Sequence, residues 1–295
     1  MSASPEATTG TIYDIGYRHY DGPRLGRRGA VMAVIGAGLR AVFGMGRSGR
    51  SKIIPWGAVI LAMLPAFVAI AVRVLAGEIL DITTYERYLW DVGALMPIFV
   101  AAQAPELVVN DIRHRVLPLY FSRPMSRVDY VGAKLAALAI GLLAITLVPV
   151  LLLFLGRVLA ASDVIGAVGD ELGALPGIVG NGVLHAVVLA CLGIAISSLA
   201  GRRAYAAGAV LAIFLIGGGV SEALAFAGNT LADIAPFANP LAILDGAREA
   251  LFGGSVGESP VQASSLPHLV YPVAAGVLVL VSLAILALRY RRITA

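Results

Sequence analysis

The sequence predicts an all-α membrane protein: a bundle of six transmembrane helices with a cytoplasmic interfacial helix and short re-entrant outer helices. Three observations carry this. Apolar residues make up 59% of the 295, charged ones 14%, and mean hydropathy is +0.87, well beyond the roughly 45 to 50% apolar content of soluble domains. Six runs approach the roughly 20 apolar residues that cross a hydrocarbon core of about 30 Å. Basic residues gather in alternate connections between these runs and acidic residues in the others. The net charge of +4 and pI near 9.4 therefore reflect membrane boundaries, and no nucleic-acid partner is expected.

Residues 1–52 read as a cytoplasmic amino-terminal segment, and 53–295 as the six-span domain. The first segment holds Arg18, Arg24, Arg27, Arg28, Arg40, Arg47, Arg50 and Lys52 and no apolar stretch of signal-peptide type, so no cleaved signal is expected. Val31, Met32, Val34, Ile35, Leu39, Val42 and Phe43 recur at near-helical spacing. They predict a helix lying in the membrane interface or, in the alternative, a short soluble helix covering another loop.

The spans follow in order. The first runs over Ile54–Ala76 and contains Pro65, which membrane helices tolerate where neighbours satisfy the freed carbonyl. The second, about Val92–Val109, is weaker because Pro97, Gln103, Pro105 and Glu106 interrupt it. The third covers about Tyr130–Gly156. The fourth (Gly177–Leu199) and fifth (Tyr205–Ala227) flank a tight basic turn at Gly201, Arg202 and Arg203, and the sixth (about Leu269–Leu288) ends in Arg289, Tyr290, Arg291 and Arg292. The stretch from Gly228 to His268 contains Leu231 to Leu251, too apolar for a free loop and too broken by Pro236 and Pro240 for a span. Short helices dipping partway into the membrane fit it.

Orientation follows from the basic residues, which are retained on the cytoplasmic side. The amino-terminal segment has eight, the second-to-third connection five, the fourth-to-fifth turn two and the carboxyl tail three, eighteen of the 22 in all. Both termini are expected in the cytoplasm, in a bacterial plasma membrane.

Chemistry-bearing motifs are sparse. No GxxxxGK[ST] phosphate loop is present, so no ATP site is expected on this chain. Gly44, Gly46 and Gly49 match GxGxxG, but no predicted strand precedes them, so a flexible basic linker is expected. Gly253 to Gly257 match GxSxG without a strand-to-helix elbow and read as a turn. The histidines are scattered, and His185, inside span four, is expected to be bonded within the bundle. Cys191 reads as a small core residue.

The most informative stretch is Pro105 to Lys134. Proline disfavours helix at the residue before it, which breaks the chain at Leu117–Pro118 and Arg123–Pro124. Ser126 with Asp129 three residues on makes a capping box that starts span three. A short rigid helix between two spans results. It either converts a push from a cytoplasmic partner into tilting of those spans or serves as an ordinary basic anchoring loop.

Here the sequence resembles the permeases of ABC type-2 transporters, six-span exporter subunits whose ATPase is commonly a separate polypeptide. The residues carrying the resemblance are Glu106, Arg113, Arg115, Arg123 with Pro124, Tyr130 and Lys134, then Asn239, Pro240, Leu241, Asp245 and Arg248 before the last span. The resemblance implies a complex of two permease copies, a homodimer or related heterodimer in membrane lipid, with two cytoplasmic ATPase subunits carrying ATP and Mg. No cofactor or metal is then expected on this chain. It also implies that Glu106, Asp111, Arg113, Arg115, Arg123, Pro124 and Arg127 contact the ATPase, and that spans two and five line the path.

Charges inside the apolar layer are costly and mark candidate sites. Glu222, just after Gly217, Gly218 and Gly219, is the acidic residue well inside a span, and it competes with the reading of a solvated helix end. Gln103 and Glu106 are further path candidates, with Glu106 alternatively paired to Arg113 at the inner interface. An intramembrane enzyme and a passive anchor or assembly protein are the other function classes. The scattered His and Ser residues weigh against the first and the rigid connector against the second.

Overall fold

The computed structural model describes residue 22 and residues 26–76, 82–122, 124–254 and 259–291. These form α1 Gly26–Val42, α2 Arg50–Ala76, α3 Tyr85–Asp91, α4 Leu95–Arg113, α5 Leu117–Phe121, α6 Arg127–Thr146, α7 Val148–Ala160, α8 Val164–Glu171, α9 Leu175–Leu199, α10 Arg203–Ala227, α11 Asn229–Ile234, α12 Pro240–Phe252 and α13 Val270–Arg291. Among the described residues there is no strand. Six helical runs are long and apolar enough to cross a membrane: α2, α4, α6–α7, α8–α9, α10 and α13. The molecule is an all-α polytopic helical bundle.

Local chemistry places the ends. The Ser126 hydroxyl accepts from Asp129 N at 3.2 Å and the Asp129 carboxylate from Ser126 N at 2.9 Å, so the capping box starts α6 where the spacing predicts. Span three extends over Arg127–Ala160, with α6 giving way to α7 at Leu147; Pro149 two residues on supplies no N–H to the preceding turn. The outer stretch folds as α11, a 3₁₀ turn over Ala235–Ala238, and α12, which Asn239 caps through Leu241 N at 3.1 Å. The triple glycine does not break α10. It admits close backbone approach instead, since a Cβ on Gly217 would strike the Ala238 carbonyl oxygen.

Span two differs from expectation. Val92 ends the short helix α3 instead of beginning a span, and α4 starts three residues later after a turn whose Gly93 has no room for a side chain, a Cβ there lying 2.9 Å from Trp90 O. Tyr88 pins α3 to the middle of α2. Its hydroxyl donates to Ala62 O and accepts from Ala66 N at 3.2 Å, filling a rung of the helix ladder beside Pro65. Tyr88→Phe leaves those two buried backbone groups without this partner and should cost about 1 to 3 kcal/mol in detergent-solubilised unfolding. Burial pushes the Tyr88 phenol up to about 12. An unfolded tyrosine titrates near 10, so the stability this phenol contributes is complete below about pH 10 and declines as pH climbs towards 12, where the folded phenol itself loses its proton and the rung breaks. The wild-type advantage over Tyr88→Phe should shrink over that interval.

The predicted amino-terminal helix is present as α1. α1 buries Val34, Gly38 and Val42 against α6: a Cβ on Gly38 would lie 2.6 Å from Ala137 Cβ, and one on Gly141 would lie 2.7 Å from Val42 Cγ1. Small residues permit this contact. Arg27 near the other end of α1 bonds Asp129 through two 2.8 Å contacts. From Arg27–Asp129 to Val42–Gly141 both helices advance in the same direction, so α1 runs alongside α6 and its apolar stripe faces protein. Val34 and Val42 belong to the same core as the spans.

Enclosure is uneven. In the most apolar windows, 67% of residues are buried for α4 and for the α8–α9 run, against 17% for α10, 22% for α13 and 28% for α2. The first two form the centre. The other three turn apolar side chains such as Leu61, Leu215, Ile216 and Leu280 outward.

Candidate functional site: a projecting basic connector

Helix register sets how far the connector stands out. A Cβ on Gly193 of α9 would meet Val100, Ala104 and Leu138, which places these residues of α4 and α6 level with it. From that level α9 ends at Leu199, while α4 continues to Arg113 and α6 starts back at Arg127. At 1.5 Å per residue the α4–α5–α6 hairpin projects about 7 Å beyond the end of α9. Arg27 bonds Asp129 on the first turn of α6, Arg47 and Arg203 reach Glu106 of α4, and Arg289 bonds Ser198 O near the end of α9.

The turn out of α4 has an unusual residue. Val116 N bonds Asp111 O at 3.1 Å and Arg115 N bonds Ile112 O at 3.2 Å, the paired bonds of a Schellman C-cap. The position needing a left-handed backbone holds Arg115, at φ 52°. α1 ends in the same motif with Gly44 there, at φ 64°, bonded through Gly44 N to Ala41 O and Met45 N to Arg40 O. A side chain in that conformation costs roughly 1 to 2 kcal/mol, and such strain is tolerated where the side chain has another use. Arg115→Gly should raise stability by about 1 kcal/mol, read from thermal unfolding, while removing one rim charge.

α5 is amphipathic over a single turn. Leu117 is buried, and Tyr120 and Phe121 pack on Tyr130 with ring centroids 5.4 and 6.3 Å away. Pro118, Leu119 and Ser122 face out. At the tip Leu119 is 69% and Val128 80% exposed, among the exposed Arg113, Arg115, Pro124 and Arg127, with the Arg127 guanidinium 5.8 Å over the Phe121 ring. Leu119 on α5 and Val128 on the first turn of α6, the latter in a groove with Leu283, Leu286 and Tyr290 of α13, are bare apolar side chains on a connector that also exposes arginines, a candidate docking surface.

Three ionic contacts hold the hairpin rigid from below. Asp111 accepts from Tyr130 Oη at 2.7 Å and pairs with Lys134 Nζ at 2.8 Å, while the Tyr130 ring meets Tyr290 at 5.6 Å. Asp111 is thus an internal strut between α4 and α6. Glu106, its side chain 2% exposed, is gripped by Arg47 from the α1–α2 turn and Arg203 from the start of α10. Its partners are these two arginines, in place of the Arg113 pairing considered from sequence. The third contact is Arg27–Asp129, and the companion charge keeps the Arg27 guanidinium protonated above its usual range.

The remaining predicted site residues are distributed as follows. Arg123 lies outside the described residues. Gln103 is enclosed within α4 at 5% exposure, one turn from Glu106. Glu222 is exposed, about a turn short of the carboxyl end of α10, beside Phe226, Pro260 and Gln262 in a wide hollow at the opposite end of the bundle from the connector. The structure therefore does not bring Gln103 and Glu222 to one site. The GxGxxG stretch is a helix–turn–helix junction whose Gly44 and Gly46 adopt positive φ and which delivers Arg47 to Glu106. Of the GxSxG run, Gly253 and Gly254 are left-handed and offer their carbonyls to Arg248; 255–257 lie outside the described residues.

Sequence reasoning missed a second polar cluster, between α3, α9 and α12. Arg248, 2% exposed, donates to Asp245 Oδ1 from Nε at 3.2 Å and from Nη2 at 2.9 Å. His185 is bonded within the bundle, through Nδ1 to Asn181 O at 3.0 Å. The 3.6-residue spacing of Asn181 and His185 on one helix face was the available signal. Cys191 is buried, and among the described residues no group of His, Cys, Asp and Glu is arranged to hold a metal ion.

No family model matches this chain, and no curated protein matches it. Fold and geometry define the class: a polytopic helical membrane protein with a braced, projecting basic connector.

Proposed function

We propose that this chain is the membrane-spanning permease subunit of an ATP-driven exporter, and that its connector seats on a separate cytoplasmic ATPase. The supporting observation is the connector: Leu119 and Val128 bare at 69% and 80% exposure and Arg113, Arg115 and Arg127 exposed on the same hairpin, which stands about 7 Å proud of α9. Exposed apolar side chains on a projecting turn serve a partner better than water. A push on α5 passes through Tyr120, Phe121 and the Asp111–Tyr130–Lys134 strut into α6 and into α4, which lies at the bundle's centre. In this reading the basic end is cytoplasmic, in keeping with the retention of Lys and Arg on that side. Arg113, Arg115, Arg127 and Pro124 take the contact role, and Glu106 and Asp111 support it from within. ATP and Mg sit on the partner, and a second permease copy and lipid cover the outward faces of α2, α10 and α13.

The test takes an ATPase carrying a phosphate-binding loop, sought in the adjoining genes, and measures its ATP hydrolysis in proteoliposomes with and without the chain. A severalfold rise in hydrolysis with the chain present is expected. Equal hydrolysis in both would contradict the assignment and leave the passive anchor as the better reading.

A further inference from the structure

The polar cluster between α3, α9 and α12 surrounds two adjoining cavities of about 280 and 250 Å³, which share Glu86, Leu89 and Arg248 as walls. Asp245 and Asn181 are each 5% exposed, and each has a buried oxygen without a hydrogen-bond partner, Asp245 Oδ2 and Asn181 Oδ1. Asn181 lines the first cavity and Asp245 the second. Because Asn181 O can only accept, His185 Nδ1 carries the proton in that bond, and in the neutral ring Nε2 is left as a further acceptor on the second cavity. Among the described residues the Glu86 carboxylate forms no hydrogen bond or ion pair.

One buried donor is unpartnered at the same place, Tyr85 Oη on the first cavity, and a phenol oxygen can accept from an ammonium as well as donate. Arg248 directs Nε and Nη2 to Asp245 Oδ1 and Nη1 to Gly253 O and Gly254 O at 3.1 and 3.0 Å. At the start of α4, Leu95 N and Met96 N already bond Val92 O and Gly93 O, and Pro97 has no N–H. Asp245 and Glu86 supply two carboxylates to the cavity walls beside Arg248, while the Arg157 guanidinium lies 4.7 Å over the ring of the wall residue Tyr85 and donates to Thr83 O. Buried acceptors without partners are costly unless a donor reaches them. Trp90 lines the second cavity and Phe252 the first, and aromatic faces attract cations.

We propose that these joined cavities bind the protonated amine of an amphiphilic ligand, its ammonium N–H groups bonded by Asp245, Asn181 and Glu86 and its apolar part against Leu89 and Phe252. Binding belongs to the chain alone, so it is measured without any ATPase and stands or falls apart from the transport reading.

The chain has two tryptophans, and the other, Trp56, lies on α2 beside Phe43. In a Trp56→Phe background Trp90 is the sole indole and reports on its own cavity. The detergent-solubilised chain is titrated with hexylammonium chloride, hexanol and sodium hexanoate while Trp90 emission is followed. Hexylammonium should give a saturating change, hexanol should need roughly tenfold more and hexanoate should give none, the margin expected of a charge-assisted hydrogen bond. Asp245→Asn should weaken the response about tenfold. Because that change also disturbs the Arg248 pair, Glu86→Gln and Asn181→Ala are run beside it, each expected to weaken binding by about threefold or more. Micellar partitioning is common to all variants and cannot produce that difference. Equal responses to hexylammonium and hexanol, a response to hexanoate, a non-saturating change, or unaltered affinity in Glu86→Gln and Asn181→Ala would overturn the proposal.

Discussion

Replacing Arg47 and Arg203 together by Met should destabilise the fold by about 3 to 5 kcal/mol, whereas Glu106→Gln should cost less than half of that. The asymmetry comes from solvent access. The Glu106 side chain is 2% exposed, while those of Arg47 and Arg203 are 41% and 56% exposed. Without the arginines a buried carboxylate is left uncompensated and must be protonated or hydrated at the expense of packing. Without the carboxylate, both guanidinium groups swing into water and the amide remains as a buried polar group of similar shape. Thermal unfolding of the purified chain in one detergent compares the variants directly. Equal costs, or a larger cost for Glu106→Gln, would show that the arginines do not hold this charge.

Leu119→Asp combined with Val128→Asp should lower the affinity for the ATPase subunit more than tenfold and abolish stimulated hydrolysis, without a measurable change in unfolding temperature. Both side chains are largely in solvent, so the fold loses little when they change. The connector loses two exposed apolar side chains and gains two negative charges on a segment that exposes Arg113, Arg115 and Arg127; such charges offset the arginines and are poorly solvated once a partner covers them. Arg115→Gly separates the two contributions, since it keeps the turn and removes one charge. Its effect on affinity should be smaller than that of the double substitution. Binding measured by surface capture of the ATPase in detergent decides between them, and wild-type affinity in Leu119→Asp/Val128→Asp would remove the tip from the interface.

Local features of this fold were legible because they rest on neighbours in sequence. The six spans appear close to their predicted limits, and Ser126 and Asp129 make the capping box their spacing announces. What could not be read are the contacts between distant segments. Arg27 and Asp129 stand 102 positions apart, and Glu106 is held by residues from two separate turns. Apolar periodicity over 31–43 says only that one face of α1 is buried. It does not say whether lipid or α6 covers it, and the small residues at Gly38 and Gly141 were the clue that favoured protein. Span two was misplaced at its start because Val92, Gly93 and Ala94 are apolar or neutral by composition, while their conformation is a turn that breaks the helix. The left-handed Arg115 carries no sequence signal at all, since that position ordinarily calls for Gly.

In the proposed reading the connector tip faces the cytoplasm and is covered by an ATPase. Cys191, the only cysteine, is 5% exposed, so Leu119→Cys introduces the one accessible thiol. Membrane vesicles of known sidedness are labelled with a membrane-impermeant maleimide, with and without added ATPase subunit. Ile165→Cys, at an 86% exposed position on α8 at the opposite end, serves as the control. Leu119→Cys should label in inside-out vesicles and be protected by the ATPase, and Ile165→Cys should label in right-side-out vesicles and be unaffected by it. Labelling of Leu119→Cys from the outside, or at the same rate with the ATPase present, would contradict this reading.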